Sequence, residues 1–379
     1  MKKLNLSKKI KIIFSICLAI TSIISCQNKS ISQDPISTPE SVGNFPLKES
    51  WHKDFDNEIK AMALDSGVLV TGITDQNGAV IQAFDINSGV SLWKSNLQGN
   101  NNAGINIFII DKLVYVTYSP SIFAIDLDTG KLVFENNFDA ANIAEIKAFT
   151  DKYIFIVKIS EGVFAFDRFT GLLSWQVLIG RGSIDVFTDT KHKLVYIVHG
   201  EYIKAVNETD GSLVWQKAID SYSSVEFYDD FIYYSTEKTE DNSELHLKAI
   251  DLNVNDVIWD FKLTREIQCA RATKDNIIAI TEETIINLDR ASGKKIWEYY
   301  TSPDIYCPII IMNKVIYLKD GFSNQLIAIS QENGSKLGSM DFEDSSWLGY
   351  ATPEDNLLSS TYTFNTLALY LKNSIYVYK

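Results

Sequence analysis

The sequence predicts an all-β fold, an eight-bladed β-propeller with four-stranded antiparallel blades, and three observations predict it. A hairpin signature recurs seven times, its copies are about 40 residues apart, and the chain between them reads as short strands with no helical period held for three turns. The third copy is the fullest: Ala165-Phe166-Asp167-Arg168-Phe169-Thr170-Gly171-Leu172-Leu173-Ser174-Trp175. A strand ends at Asp167, whose carboxylate can accept from backbone N–H groups just ahead of it. The chain turns at Thr170-Gly171, where glycine takes φ > 0 at no steric cost, and leaves as a second strand carrying Trp175.

Aligned on the turn residue, the copies run Asp85 to Gly89 and Trp93, Asp126 to Gly130 and Phe134, then the copy above. Next come Asn207 to Gly211 and Trp215, Asp251 to Asn255 and Trp259, Asp289 to Gly293 and Trp297, and Ser330 to Gly334 and Gly338. The steps are 41, 41, 40, 44, 38 and 41 residues. Asn255 stands in for glycine, and asparagine is the next-best residue for the left-handed conformation.

Residues 1–25 precede the fold. Lys2, Lys3, Lys8, Lys9 and Lys11 make a basic start, and residues 12–24 are an apolar run of signal-peptide length, short for a transmembrane helix. The run ends Ile23-Ile24-Ser25-Cys26, which resembles a bacterial lipobox; the alternative is an ordinary cleaved signal followed by a chance cysteine. The resemblance implies lipidation of Cys26, for which several acyl chains give stable anchoring. Residues 26–45 are polar, with almost nothing to bury, and read as a flexible tether. Gln27 after the cysteine implies, by the same resemblance, sorting to the outer membrane.

Residues 46–379 are all strand and turn. The second blade reads Ile105–Ile110, a turn at Asp111-Lys112, Leu113–Tyr118, a turn at Ser119-Pro120-Ser121, then 122–126, the signature, and 132–136. Such a chain exceeds what one core supports, which a propeller avoids by packing each sheet only on its neighbours. Two readings of closure stand. In one, residues 49–55 with Trp51 form an outermost strand that completes a C-terminal blade built from 367–371 and 375–379, leaving no free edge. In the other, Ala368 and Tyr378, ten apart like Ala and Trp in the signature, finish that blade without the N-terminus.

Ala, Asp, Thr-Gly and Trp at these offsets resemble the quinoprotein-type (PQQ-like) propeller repeat, in which the tryptophans dock flat between blades. The resemblance assigns Trp51, Trp93, Trp175, Trp215, Trp259 and Trp297 to blade docking, each giving its N–H to a backbone acceptor. Phe134 keeps the ring without the donor, and Gly338 loses both, so the seam at Gly338 is expected to be the weakest.

The chemistry-bearing residues point away from catalysis. Quinone-dependent dehydrogenases of this repeat class are longer and carry adjacent cysteines and a calcium site; here no two cysteines are adjacent and no calcium-loop spacing occurs. His52, His192, His199 and His246 form no pair with zinc-ligand spacing, and there is no phosphate loop or nucleophile elbow. The expectation is a non-enzyme without cofactor or metal. Cys269 and Cys307 are 38 residues apart, at equivalent places on neighbouring innermost strands. A disulfide needs Cα atoms within about 7 Å, so small apolar filling is the expectation there. The net charge of −13 becomes −18 once the five leader lysines are gone, which excludes a nucleic-acid partner and a flat seat on anionic lipid.

Against that acidity, Arg181 and Arg265 each sit ten residues after their turn residue, in connections between consecutive blades. They should emerge on one face of the disc, two blades apart. Leu178-Ile179-Gly180-Arg181-Gly182-Ser183 resembles the Leu-x-Leu-Arg-Gly loop of the propeller lipoprotein in the outer-membrane β-barrel assembly machinery, where Leu178, Arg181 and Gly182 match. The acidic pair of that family's next inter-blade loop is not evident at Ser223-Ser224-Val225-Glu226. The resemblance implies a lipid-anchored, periplasmic-facing scaffold that binds a barrel-assembly protein through Leu178, Arg181, Gly182 and Arg265. The alternatives are a quinoprotein-like cofactor binder or dehydrogenase relative, and a surface ligand-binding or sensor lipoprotein.

Overall fold

The computed structural model describes residues 47–99, 104–137, 144–158, 161–180, 182–238, 244–301, 305–320, 325–341, 347–351 and 366–379. Among these residues there are strands and no helix. The strands form eight four-stranded antiparallel sheets. Seven blades take four consecutive strands each, in chain order from the axis outward; blade 2, for example, is Ile105–Ile110, Leu113–Tyr118, Ser121–Asp126 and Leu132–Asn137. Cys26 and Arg181 lie outside the described residues.

Blade 8 settles the closure. Its inner strands are Trp347–Ala351, Leu367–Leu371 and Ser374–Tyr378, and its outermost strand is Glu49–Asp54 from the other end of the chain. Trp51 pairs with Val377 and Asp54 with Ser374. Beyond the strands, Lys48 and Lys379 exchange backbone hydrogen bonds of 3.1 and 3.0 Å, and Phe55 N–H donates to Asn373 O at 2.8 Å. The ring therefore closes through its N-terminal strand.

Burial follows from each strand's place in its blade. The two middle strands are sandwiched on both faces by neighbouring blades, so Leu113–Tyr118 and Ser121–Asp126 are buried almost throughout and read as continuous apolar runs. The outermost Leu132–Asn137 is exposed at alternate positions. Each outermost strand of blades 1 to 7 also carries a bulge just after its turn. Ala83 pairs with Trp93 and Phe84 with Ser91, skipping Leu92, and Val133, Ser174, Val214, Ile258, Ile296 and Leu337 are skipped in the same way. An extra residue there twists the free edge and hinders further pairing, which explains exposed aliphatics such as Leu92 and Val214 at the rim.

The seven turn residues all take positive φ, from 54° at Asn255 to 73° at Gly334. In each aspartate copy the carboxylate holds the turn; Asp85 Oδ1, for instance, accepts from the Ser88 N–H at 2.8 Å and its hydroxyl at 2.7 Å. Glycine is needed for a second reason, close approach. An added Cβ at Gly211 would lie 2.6 Å from the Trp175 ring, and at Gly130 2.6 Å from Trp93. Four more signature rings lie against the turn glycine of the next blade in the same way: Trp51 on Gly89, Phe134 on Gly171, Trp259 on Gly293, Trp297 on Gly334; the turn residue of the blade after Trp215 is Asn255.

One cysteine expectation is corrected. Cys269 is disulfide-bonded rather than a free apolar filler. The innermost strands Cys269–Ala272 and Ile305–Met312 run close against each other where blades 6 and 7 converge on the axis, which the sequence argument underestimated. The Cys307 side chain lies outside the described residues.

Candidate functional site

The seams between blades set the frame on which any surface site is carried. The indole N–H of Trp51 donates to Ile86 O at 2.8 Å, Trp93 to Leu127 O at 2.6 Å, Trp175 to Glu208 O at 2.8 Å, Trp259 to Arg290 O at 2.9 Å and Trp297 to Gln331 O at 2.9 Å. The acceptor is always the residue after the signature Asp, Asn or Ser of the following blade. Phe134 has no N–H, and the corresponding acceptor, Arg168 O, is taken by the Tyr115 hydroxyl at 3.0 Å. Trp215 packs against the Tyr196 ring, 5.8 Å between centroids.

Gly338 has a simpler explanation than a lost contact. In blade 8 the third and outermost strands, Ser374–Tyr378 and Glu49–Asp54, are not consecutive in the chain, so no signature turn joins them and there is no turn glycine for a ring to cover. Leu47, buried, fills that seam together with Leu337, Met340, Tyr376 and Tyr378.

The proposed partner-binding residues sit on the connections from an outermost strand to the next innermost strand. Because every blade has the same strand order, these connections share one face with the turns between second and third strands. Leu178 ends its strand paired with Gly162, and its side chain is 67% exposed although Ile179 beside it is buried. Ile179 N–H is fixed to Glu161 O at 2.8 Å, so the chain leaves the blade on a defined path. Gly182, at φ 138°, passes directly against His199; a Cβ there would lie 2.9 Å from its Nε2. Arg265 stands two blades on, half-exposed, its guanidinium forked onto Glu283 at 3.0 Å and Glu282 at 3.3 Å. Leu178 and Gly182 thus share one loop; Arg265 belongs to the same face but to another connection.

The innermost strands carry a second set of charged groups. Glu145 and Lys147 pair at 2.8 Å on blade 3, and the Tyr222 hydroxyl of blade 5 donates to Asp185 of blade 4 at 3.1 Å. Burial raises the Asp185 carboxyl, against the pull of Lys147. Glu226 stands on the innermost strand Tyr222–Tyr228 rather than in an inter-blade loop. Burial pushes its carboxyl up to about 7, while Arg271 and the Ala272 N–H on the next blade pull the other way. A carboxyl raised from 4.5 takes up a proton on folding between those values, so its contribution to stability is full below about 4.5 and is lost as pH rises through 7. Glu226→Gln should therefore stabilise the protein more at pH 8 than at pH 5. Thermal melts of both proteins at the two pH values test this, and an equal difference at both would contradict it. The turn aspartates Asp85, Asp126 and Asp289 act in the opposite sense, since bonds from Ser88, Thr129 and Ser292 hold their carboxyls low and that support is lost only as pH falls into the acid range.

Sequence reasoning missed the groups that cross from blade to blade on the opposite face. Arg168 pairs with Asp111 and stacks 4.7 Å from Phe169; Arg290 reaches Asp229 at 3.3 Å and lies 4.6 Å from the Tyr228 ring. Gln331 bonds Asn276 Oδ1 at 3.2 Å. All three follow the signature residue and reach back to the previous blade's first turn, so a signal was present at that fixed offset. His192, Asp189 and Asp230 also converge from two blades, close enough to share a cation. Asp189 is already bonded by the His192 ring at 2.7 Å and the Tyr196 hydroxyl at 3.1 Å, and Lys191 sits on Asp230 at 2.9 Å, so the cluster reads as a blade-to-blade tie.

The chain is similar to solved propellers over most of its length. BamB from Moraxella catarrhalis superimposes with a TM-score of 0.66 at 14% identity, covering 88% of this chain and 99% of that one. The computationally designed Ika8 protein gives 0.66 at 13% identity over 86% and 97%. The quinohemoprotein alcohol dehydrogenase ADHIIG from Pseudomonas putida HK5 gives 0.62 at 12% identity over 88% and 76%. At these identities the likeness is one of fold. No curated protein matches the chain in sequence. The family model described as outer membrane protein assembly factor BamB matches residues 76–231 and 241–368, about three quarters of the sequence. With its seven signature turns, ring-on-glycine seams and closed eight-bladed ring, the chain belongs to the BamB family of outer membrane protein assembly factors.

Proposed function

We propose that this protein is a lipid-anchored, non-enzymatic scaffold of outer-membrane protein assembly, tethered through Cys26 and facing the periplasm. It binds a barrel-assembly protein with the face that carries Leu178, Arg181, Gly182 and Arg265. The observation that carries the reading is the family match over residues 76–231, which spans that loop, together with a leucine two-thirds exposed at the mouth of the connection whose sequence resembles the family's docking loop. A large aliphatic held out on a fixed backbone costs solvation in the monomer and is recovered on binding. Arginine beside it supplies bidentate pairing to a partner's carboxylate or carbonyls. In this reading residues 1–25 are the signal, residues 26–45 the tether, and the rigid ring presents its loops without itself needing to move.

The test is co-purification. Full-length protein drawn from detergent-solubilised membranes should bring the outer-membrane β-barrel insertase with it. Cys26→Ser should release a folded protein to the soluble fraction, because the tether separates lipid from propeller. A variant still on membranes after a high-salt wash, or a wild type that purifies without the insertase, would contradict the reading.

A further inference from the structure

The fold begins on a defined side of the disc. The outermost strand of every blade runs from the signature-turn face to the face of the inter-blade connections. Glu49–Asp54, the outermost strand of blade 8, therefore starts on the signature-turn face and ends on the face of Leu178 and Arg265. Contacts at its start fix the place. Leu47 is buried in one cluster with Leu337 and Met340 of blade 7. Lys379, backbone-paired with Lys48, reaches the signature turn of blade 1, where its ammonium donates to Asn87 Oδ1 at 2.7 Å. The chain before Leu47 thus enters on the face opposite the loops assigned to the partner.

The length of that chain bears on how an anchored ring stands. The 20 residues between Cys26 and Leu47 span about 25 Å root-mean-square as a coil and ~70 Å at full stretch. A strand of six residues, such as Leu132–Asn137, is about 20 Å long. Bringing the Leu178 face to the lipid would use nearly all of the coil dimension merely to pass the rim. A lipid on Cys26 therefore favours the signature-turn face as the one turned to the membrane.

The rim of that face is apolar. The bulge after each signature turn accounts for residues turned outward, but charge would protect an edge as well as an aliphatic does. On five blades the bulge residue is a large aliphatic, 42–53% exposed: Leu92, Val133, Val214, Ile258 and Ile296. The turn of blade 3 adds Phe169 at 55% and Leu172 at 65%. Equivalent positions on successive blades stand at one height along the axis, so a flat surface meets these side chains together. Exposed aspartates at turn tips, such as Asp128 and Asp210, keep the contact at headgroup depth. The net charge of −13 suits it to a zwitterionic surface rather than an anionic one.

We propose that the signature-turn face is the membrane-facing surface, its aliphatic rim resting on the phospholipid that holds the tether while the Leu178 face is presented away from it. The proposal rests on the lipid anchor at Cys26 put forward above. The rim does not hold free protein on a membrane. A tether raises the local concentration of its target to the order of millimolar, and contacts too weak to act alone are then occupied.

The test uses full-length protein in phosphatidylcholine vesicles that contain a rhodamine-labelled lipid. A donor dye is placed at Lys131→Cys on the signature-turn face or at Asn77→Cys on the opposite face, with wild type treated alike as the labelling background. The ~20 Å of strand between the two faces should make energy transfer from the Lys131 site about twofold or more the stronger. Adding Val214→Asp with Ile258→Asp should lower transfer from the Lys131 site, and Tyr202→Asp on the opposite face should leave it unchanged. Thermal melts confirm that each variant is folded. Equal transfer from the two sites, stronger transfer from Asn77→Cys, or transfer unmoved by the rim pair overturns the proposal. Where the protein still sediments with the vesicles, the anchor reading then stands and only the orientation falls. Failure to sediment with the vesicles removes the anchor reading and this proposal together.

Discussion

Deletion of residues 49–54 is expected to abolish the stable monomeric propeller. The strand Glu49–Asp54 covers the outer edge of Ser374–Tyr378, pairing with it from Tyr378 to Ser374. Removing it exposes unpaired backbone groups beside the buried Ile375 and Val377, a template for edge-to-edge association. It also removes Trp51 from Gly89 and from Ile86 O, and so opens the seam between blades 8 and 1. Size-exclusion chromatography should show aggregation, and thermal unfolding a large loss of stability. An intact monomer unfolding at the parent temperature would show that the three C-terminal strands complete the ring alone.

Trp175→Ala is expected to cost ~3–5 kcal/mol of fold stability, the range for truncating a buried tryptophan. Its ring is 8% exposed, lies on Gly211, contacts Phe155 with 5.6 Å between centroids, and gives its N–H to Glu208 O. Truncation leaves both a cavity and an unpaired carbonyl in the seam, and Gly211 at φ 71° cannot move in to fill it without unwinding the turn. Chemical denaturation measures the loss. A cost below 1 kcal/mol would mean the seams are held chiefly by the middle strands. Phe134→Ala should cost less than Trp175→Ala, because the Tyr115 hydroxyl already supplies the hydrogen bond on that seam.

The repeat was legible because its chemistry is local. Asp, Thr-Gly and Trp lie within nine residues, and each has a reason to be there: a carboxylate for the turn N–H groups, a positive φ, a ring for the next seam. Asn255 was legible for the same reason, and it adopts φ 54°. What crosses between blades was harder to read. Arg168 reaches Asp111 and Arg290 reaches Asp229 over separations of 57 and 61 residues, visible only once the blades are set side by side. Gly338 looked like a defect because the sequence does not show that its neighbour lacks a turn. The disulfide at Cys269 was misjudged on a distance between strands that only the curvature of the ring determines. For the partner-binding face, spacing placed Arg181 and Arg265 in connections on one side of the disc; the Arg265 fork to Glu282 and Glu283 depends on a turn of the next blade.

The measurement that bears most directly on the scaffold role is the affinity of full-length protein for the β-barrel insertase with the loop residues Leu178 and Arg181 both changed to alanine. Exposed substitutions usually shift stability by about 0.5 kcal/mol or less, so the double variant should melt with the wild type. Its capture of the insertase should be weaker by ~2 kcal/mol or more, about thirtyfold in Kd. Equal capture by the wild type and a folded double variant would contradict the assignment of this face.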